Sequence, residues 1–533
     1  MLNWLKTKLN TDKSLLLFCL ITTSLFVLAA HAFFFFNLSP SHDYLNEFYT
    51  TDVIGWKISI GRFLSPLINL LLGQFLVSPW LSGLIMIISL AIGTYLIIKM
   101  FNLKARWQII LLSGVFSTCL SLTTLIASFM QDLAVDMIAL LLAISSAYLW
   151  YKLESTFRLK YFLFSIFTLF LSLGCYQGYL SVTIVLIIAK SIQNLIGNQA
   201  VSKVLKRGLL GIAVIACGAI LFYLTANIVG NLTGYSLSTN TTNSLSNVWT
   251  QNQSILGRIL STYLYSVWGI FAPSLAATPQ KANLLHLAPD TIQVYVLSIV
   301  NILILVFSIV ITVRILINKE LAPPAKVLCL LLLIITPFAM NITHFLSGTS
   351  HILMHYAFVL IFLFLLIFTN HINTTTTPKP LHYFASVVIV LSFLTTIVNI
   401  EISNALYVKK DLESTATLAT ITRALSAIES QDNYILGETK ICIIGNPDVQ
   451  SGIRNHPALS QLFGADYNSS ITYQDTYNAY FDKILQYKAR LCTPADITTI
   501  KSTPDFHSMG SFPNHNYIKT INDTIVVKMS DSL

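Results

Sequence analysis

Residues Ser14–Phe36 read SLLLFCLITTSLFVLAAHAFFFF, an uncharged apolar run long enough to cross a bilayer as a helix. Runs of this kind recur as far as Ile400. The 533 residues are 54% hydrophobic and only 10% charged, with a mean hydropathy of +0.69. A soluble domain carries about 25% charged residues. The sequence therefore predicts a polytopic α-helical membrane protein. Lys6, Lys8 and Lys13 ahead of the first run, with Ala30-His31-Ala32 near its end, imitate a signal peptide. The run is too long for an h-region and continues through Phe33–Phe36, so it is read as an uncleaved first span.

Spans are expected at about Ser14–Phe36, Leu81–Met100, Trp107–Ala127, Leu133–Trp150, Tyr161–Gly174, Tyr179–Ile196, Gly208–Val229, Ile292–Ile317, Ala325–Ile342, Ile352–Phe368 and Leu381–Ile400, about eleven in all. The formal net charge of +9 is not a nucleic-acid footprint. Its lysines and arginines crowd alternate loops: KMFNLKARW, YKLESTFRLK, SKVLKRG and VRILINKELAPPAK. The intervening loops hold few, chiefly Lys57, Arg62, Arg258 and Lys281. The positive-inside rule then puts the N-terminus in the cytoplasm and the tail from Glu401 outside.

Two apolar segments resist assignment as spans. Val53–Gly73 is interrupted by Ser65-Pro66, which reads as a helix stop and restart, and Ser254–Pro273 carries Arg258 among aromatics. Both are expected to be amphipathic helices on the outer surface. They lie in outer loops spanning 37–80 and 230–291, the second of which includes the Ser/Thr/Asn-rich stretch Asn231–Gln253. The chain divides into a membrane domain, 1–400, and a soluble tail, 401–533. In the tail, Leu418, Ile421, Leu425 and Ile428 mark one helix face, while KICIIGNP and DTIVVKM read as strands, predicting a small α/β domain. Cys19, Cys119, Cys217 and Cys329 fall in apolar spans. Cys442 and Cys492 fall in the tail and could pair in an oxidising compartment. CxxC, Walker and HExxH motifs are absent.

Acids and polar residues gather at the outer ends of the spans. SHDYLNEFYTTDVIGWKISIGR, Ser41–Arg62, places Asp43 and Glu47 four residues apart, on one face if helical, just beyond the first span. A carboxylate there suits general-base work on a hydroxyl, and Arg62 suits a phosphate. SFMQDLAVDM contributes Gln131, Asp132 and Asp136, the last inside an apolar run where an ionisable group is costly. CYQGYL offers Tyr176, Gln177 and Tyr179 at an outer turn, suited to stacking and to hydroxyl recognition. His351 and His355 share i, i+4 spacing, but no carboxylate lies near them in sequence, so they fit contact with an anionic ligand better than a metal site. Hardly any charge lies at mid-membrane, which disfavours a transporter or glycan flippase. His42-Asp43 superficially satisfies an acyltransferase, which would need both residues.

The order of these motifs resembles the Gtr-type serotype-converting O-antigen glucosyltransferases of the GT-C class. Those proteins carry DD-x-x-R, a Gly/aromatic stretch, W and then GRP after the first span. Here HDYLN, GW and GRFLSP follow that layout, with Asp43, Trp56, Gly61 and Arg62 on matching positions. His42, Asn46 and Phe63 depart from it, and so bear on substrate identity. Gln131 with Asp136, Tyr176-Gln177, and Asn399–Leu425 extend the similarity. The resemblance implies transfer of a sugar, commonly glucose, from a polyprenyl-phosphate carrier to a lipid-linked or polymeric surface glycan, on the periplasmic face of a bacterial inner membrane. Asp43 becomes the leading base, with Glu47 and Asp136 as alternates. Arg62 would hold the carrier phosphate, and Trp56, Gln131, Tyr176, Gln177, His351 and His355 would contact donor or acceptor. It further implies no obligatory metal, and companion proteins that charge and flip the carrier.

Overall fold

The computed structural model describes residues 9, 11–37, 39–41, 45, 51–72, 78–153, 158–238, 254–271, 292–318, 321–348, 351–374, 378–447, 471 and 474–531. The described helices as far as Glu429 are α1 (Asp12–Phe36), α2 (Thr51–Ser59), α3 (Leu64–Leu71), α4 (Pro79–Phe101), α5 (Arg106–Thr118), α6 (Leu120–Ser128), α7 (Leu133–Lys152), α8 (Leu159–Cys175), α9 (Leu180–Ile196), α10 (Val201–Thr233), α11 (Ile255–Phe271), α12 (Ile292–Ile317), α13 (Pro323–Met340), α14 (Ile342–Ser347), α15 (Ile361–Thr374) and α16 (Lys379–Glu429); shorter ones follow at Gln474–Ala479, Pro494–Lys501 and Pro504–His507. Short 3-10 turns at Met130–Asp132, Gln177–Tyr179 and Ile352–Leu360 lead into α7, α9 and α15. Among the described residues ten helical stretches are long and apolar enough to cross a membrane, and α8 is a shorter eleventh. The protein is a polytopic helical membrane protein.

The chain forms two compact units: Met1–Phe36 with Thr51–Ile126 and Asp132–Asn404, and Asn37–Thr50 with Ala127–Gln131 and Ala405–Leu533. Within the first, burial separates central helices from peripheral ones. Over an apolar 18-residue window, Arg106–Ser128 is 89% buried and Gln177–Ile196 83%, against 28% for Val201–Thr233. On α10, Leu209, Ile212, Leu224 and Ile228 point outward, as suits a lipid-facing helix. Where solvent for each helix is hydrocarbon, association depends on close packing and interhelical hydrogen bonds. Thus Ser146 Oγ donates to the Ser165 carbonyl and Ser165 Oγ to that of Ser146, each at 2.8 Å, while Ser172 Oγ reaches the Ala139 carbonyl at 2.7 Å, locking α7 to α8. The described helix α11 is amphipathic: Arg258, Thr262 and Ser266 are buried on one side, and Leu256, Leu260 and Leu264 are exposed on the other.

The interruption of Val53–Gly73 falls at Gly61-Arg62 rather than at Ser65-Pro66. Pro66 sits in the first turn of α3, where its missing N–H costs no hydrogen bond.

In the second unit β1 (Lys440–Ile444), β2 (Arg490–Leu491), β3 (Ile518–Ile521) and β4 (Thr524–Lys528) form a sheet ordered β2-β1-β4-β3. β1 runs parallel to β2 and β4, and β3 pairs antiparallel with β4. Asn522 and Asp523, both at positive φ, make the tight hairpin turn between the last two. Both strands expected from the sequence are present, as β1 and β4. On the helix packed against them Ile421, Ala424, Leu425 and Ile428 are buried, whereas Leu418 is exposed and Thr417 takes the inward position. The repeat of 417, 421, 424 and 428 follows the 3.6-residue turn; Leu418 lies about 100° off that line.

Candidate active site

The helix α2 ends in a Schellman turn. Gly61, at φ +82°, lets its N–H reach the Ile58 carbonyl at 2.9 Å and the Arg62 N–H fold back to the Lys57 carbonyl at 2.8 Å. This turn brings the two cations of the segment, Lys57 and Arg62, to one place. A β-carbon at Gly61 would stand 3.0 Å from Gln177 Nε2 and 3.1 Å from the Phe222 ring, so space as well as backbone conformation calls for glycine here.

Lys57 is buried and donates to both carboxylate oxygens of Asp132, at 2.7 and 2.6 Å. Arg62 Nη1 lies 3.9 Å from the same carboxylate, and its guanidinium stands 4.6 Å over the ring of Tyr176. Gln177 Nε2 donates to the Ile60 carbonyl at 3.2 Å, tying the turn after α8 to the end of α2. Two cations thus share the Asp132 carboxylate. Removing Lys57 strips Asp132 of its bidentate partner inside the protein. Lys57→Met is expected to destabilise the fold by about 3–5 kcal/mol, with most of that recovered in Lys57→Met/Asp132→Leu; thermal unfolding of the detergent-solubilised protein measures both.

Arg62 opens onto a cavity of about 250 Å³. Its polar wall is Arg62, Tyr176, Gln177, Thr343 and Ser347; Leu173, Leu180, Ala219, Phe222, Leu346 and Met354 make it otherwise apolar. Among the described residues the buried Tyr176 Oη and Thr343 Oγ1 have no hydrogen-bond partner, and both are available to a ligand there. Burial pushes the Tyr176 phenol well above its usual range, against the lowering pull of Arg62, so it stays protonated and can donate. An anionic head beside Arg62 with an apolar chain beyond it matches this lining.

Of the residues singled out in the sequence, Arg62, Tyr176 and Gln177 meet at this cavity. Asp136 is buried one turn beyond Asp132 on α7, and its charge acts on Tyr176. Gln131 sits in the 3-10 turn before α7. Trp56 is 44% exposed and does not line the cavity. His355 is buried and stacks on Phe358 at 4.5 Å, and His351 is half-buried just before it. His344 shares a hydrogen bond with Thr262 Oγ1 at 2.9 Å and is pushed down to about 4, by burial first and then by Arg258, so it is neutral at neutral pH. Among the described residues no three His, Cys, Asp or Glu side chains converge. Asp43 and Glu47 lie outside the described residues.

Sequence reasoning passed over the roles of Lys57, Thr343 and Ser347. Lys57 carried a signal, a lone cation in an apolar stretch five residues before Arg62; Thr343 and Ser347 carried none beyond being polar at a helix end.

No curated protein and no solved structure matches this chain. The family model described as glucosyl transferase GtrII matches residues 32–368, more than half of the chain and a span that contains every residue lining the cavity. The buried Lys57–Asp132–Arg62 group, the apolar cavity and the family match meet in one region, and the chain belongs to the glucosyl transferase GtrII family.

Proposed function

We propose that this membrane glucosyltransferase takes glucose from a polyprenyl-phosphate carrier and delivers it to a surface glycan such as O-antigen, on the periplasmic face of the bacterial inner membrane. The observation that carries the reading is Arg62 at the polar end of an apolar cavity, with Tyr176 and Thr343 hydroxyls beside it. A nucleotide sugar would have no use for so apolar a wall; a lipid phosphate uses both ends.

In this reading Asp43 takes the proton from an acceptor hydroxyl as its oxygen bonds to C1 of glucose. The bond from C1 to the phosphate oxygen breaks, and the departing polyprenyl phosphate gains charge beside Arg62. Glu47 and Asp136 are alternates for the base. Trp56, Gln131, Gln177, His351 and His355 are assigned to sugar or acceptor contacts. A single phosphate carries less charge than a nucleotide diphosphate, so an arginine can stabilise the leaving group and no metal is required. The carrier is charged with glucose and flipped across the membrane by companion proteins.

The test uses the full-length protein in nanodiscs with acceptor and either polyprenyl-phosphate glucose or UDP-glucose, with and without EDTA. Transfer is expected from the lipid donor only, and to persist in EDTA. Transfer from UDP-glucose without the lipid would overturn the donor assignment, and loss in EDTA restored by Mg²⁺ or Mn²⁺ would overturn the metal-free mechanism.

A further inference from the structure

The sheet of the second unit sets two cysteines side by side. β1 and β2 pair in parallel with Lys440 opposite Arg490 and Ile441 opposite Leu491, and the next residues in register are Cys442 and Cys492. The Cys492 N–H donates to the Ile441 carbonyl at 2.9 Å, so the alignment persists past the end of β2. Residues in register on parallel neighbours point to the same face, with strands roughly 4.8 Å apart. That separation falls within the Cα–Cα range of about 4.4–6.8 Å that a disulfide spans.

Both side chains enter one apolar cluster with Ile444, Ile497, Phe506 and Val526. Cys442 is fully buried, whereas Cys492 retains 8% exposure. Cys492, the less buried of the two, is the thiol that an oxidant reaches first. β2 is an edge strand of only two residues, with little ladder of its own to hold it.

We propose that Cys442 and Cys492 form a disulfide that fastens β2 to β1. It rests on the reading above that the C-terminal unit faces an oxidising compartment, where a protein disulfide is the oxidant. The Cys492 thiolate attacks that disulfide, forming a mixed disulfide and releasing one oxidant sulfur as a thiolate. Cys442 loses its proton and attacks the Cys492 sulfur, expelling the second oxidant sulfur. Two electrons and two protons pass to the oxidant, which leaves as a dithiol; the protein loses two hydrogens.

The test is differential alkylation of the full-length protein from membranes acid-quenched at lysis, followed by peptide mass spectrometry, with a parallel sample of reduced, detergent-solubilised protein treated with oxidised glutathione. The expected result is that Cys442 and Cys492 resist alkylation until reduced and that a peptide pair joined through them is recovered. The remaining five cysteines should be alkylated without reduction once the protein is denatured. Free thiols in the cellular sample, with cross-linking by glutathione in the second, would overturn the proposal through its compartment while leaving the strand geometry intact. Absence of the cross-link in both would overturn the pairing itself, without touching the donor assignment, which the nanodisc assay reads separately.

Discussion

Arg62→Ala is expected to lower glucosyl transfer on the order of 10²–10³-fold, the loss that follows removal of one preorganised partner of a developing charge. Lys57 cannot substitute, because both oxygens of Asp132 already engage its ammonium group. Arg62→Lys keeps a charge but forfeits the planar fork and the stacking on Tyr176, so it should recover only part of the rate. Tyr176→Phe retains the ring beneath the guanidinium and loses only the hydroxyl, and should cost about tenfold or less, as for one neutral hydrogen bond. Initial rates with polyprenyl-phosphate glucose, on equal amounts of membrane-embedded protein, separate the three variants. A wild-type rate from Arg62→Ala would remove this arginine from the donor site.

Asp43→Asn is expected to lower the rate roughly 10²–10⁴-fold, the usual contribution of a general base. The substitution keeps size and polarity while removing the capacity to accept a proton at neutral pH. His42→Ala should leave transfer largely intact. An acyltransferase built on the His42-Asp43 pair would lose activity in both variants, so the pair of measurements separates the two chemistries. Should Glu47→Gln or Asp136→Asn abolish transfer while Asp43→Asn spares it, the base is reassigned within the same reaction.

Much of the membrane architecture was legible because a span writes itself locally: some twenty apolar residues suffice, and Ser14–Phe36 needs no tertiary information. The strands around Ile441–Ile444 and Ile525–Val527 were legible for the same reason, as short buried β-branched runs closed by turn residues. The break after α2 was less so. Proline is the louder signal in sequence, yet Pro66 tolerates the first helical turn and Gly61, with its left-handed backbone, ends the helix. Leu418 was misassigned to the packed face because a hydrophobic residue one position off the buried line still satisfies a loose pattern.

The site was legible in parts. Arg62, Tyr176 and Gln177 stood out as polar residues at outer helix ends, and the fold joins them. The link that organises them, Lys57 to Asp132, joins residues 75 positions apart, and pattern within a segment does not report such pairs. For the same reason Asp136 drew attention as the intramembrane acid while its neighbour Asp132 makes the ion pair. Thr343 and Ser347 reach the cavity from α14, far along the chain from Arg62, and only the packing of α14 against α9 and α11 makes them neighbours of the site.

The most direct measurement is structural analysis of surface glycan from cells that supply polyprenyl-phosphate glucose and an acceptor glycan, comparing cells without the protein, with the wild type and with Asp43→Asn. The account predicts a glucose branch that appears with the wild type and is lost with Asp43→Asn, although the variant reaches the membrane in equal amount. A glycan unchanged by the wild-type protein would contradict it.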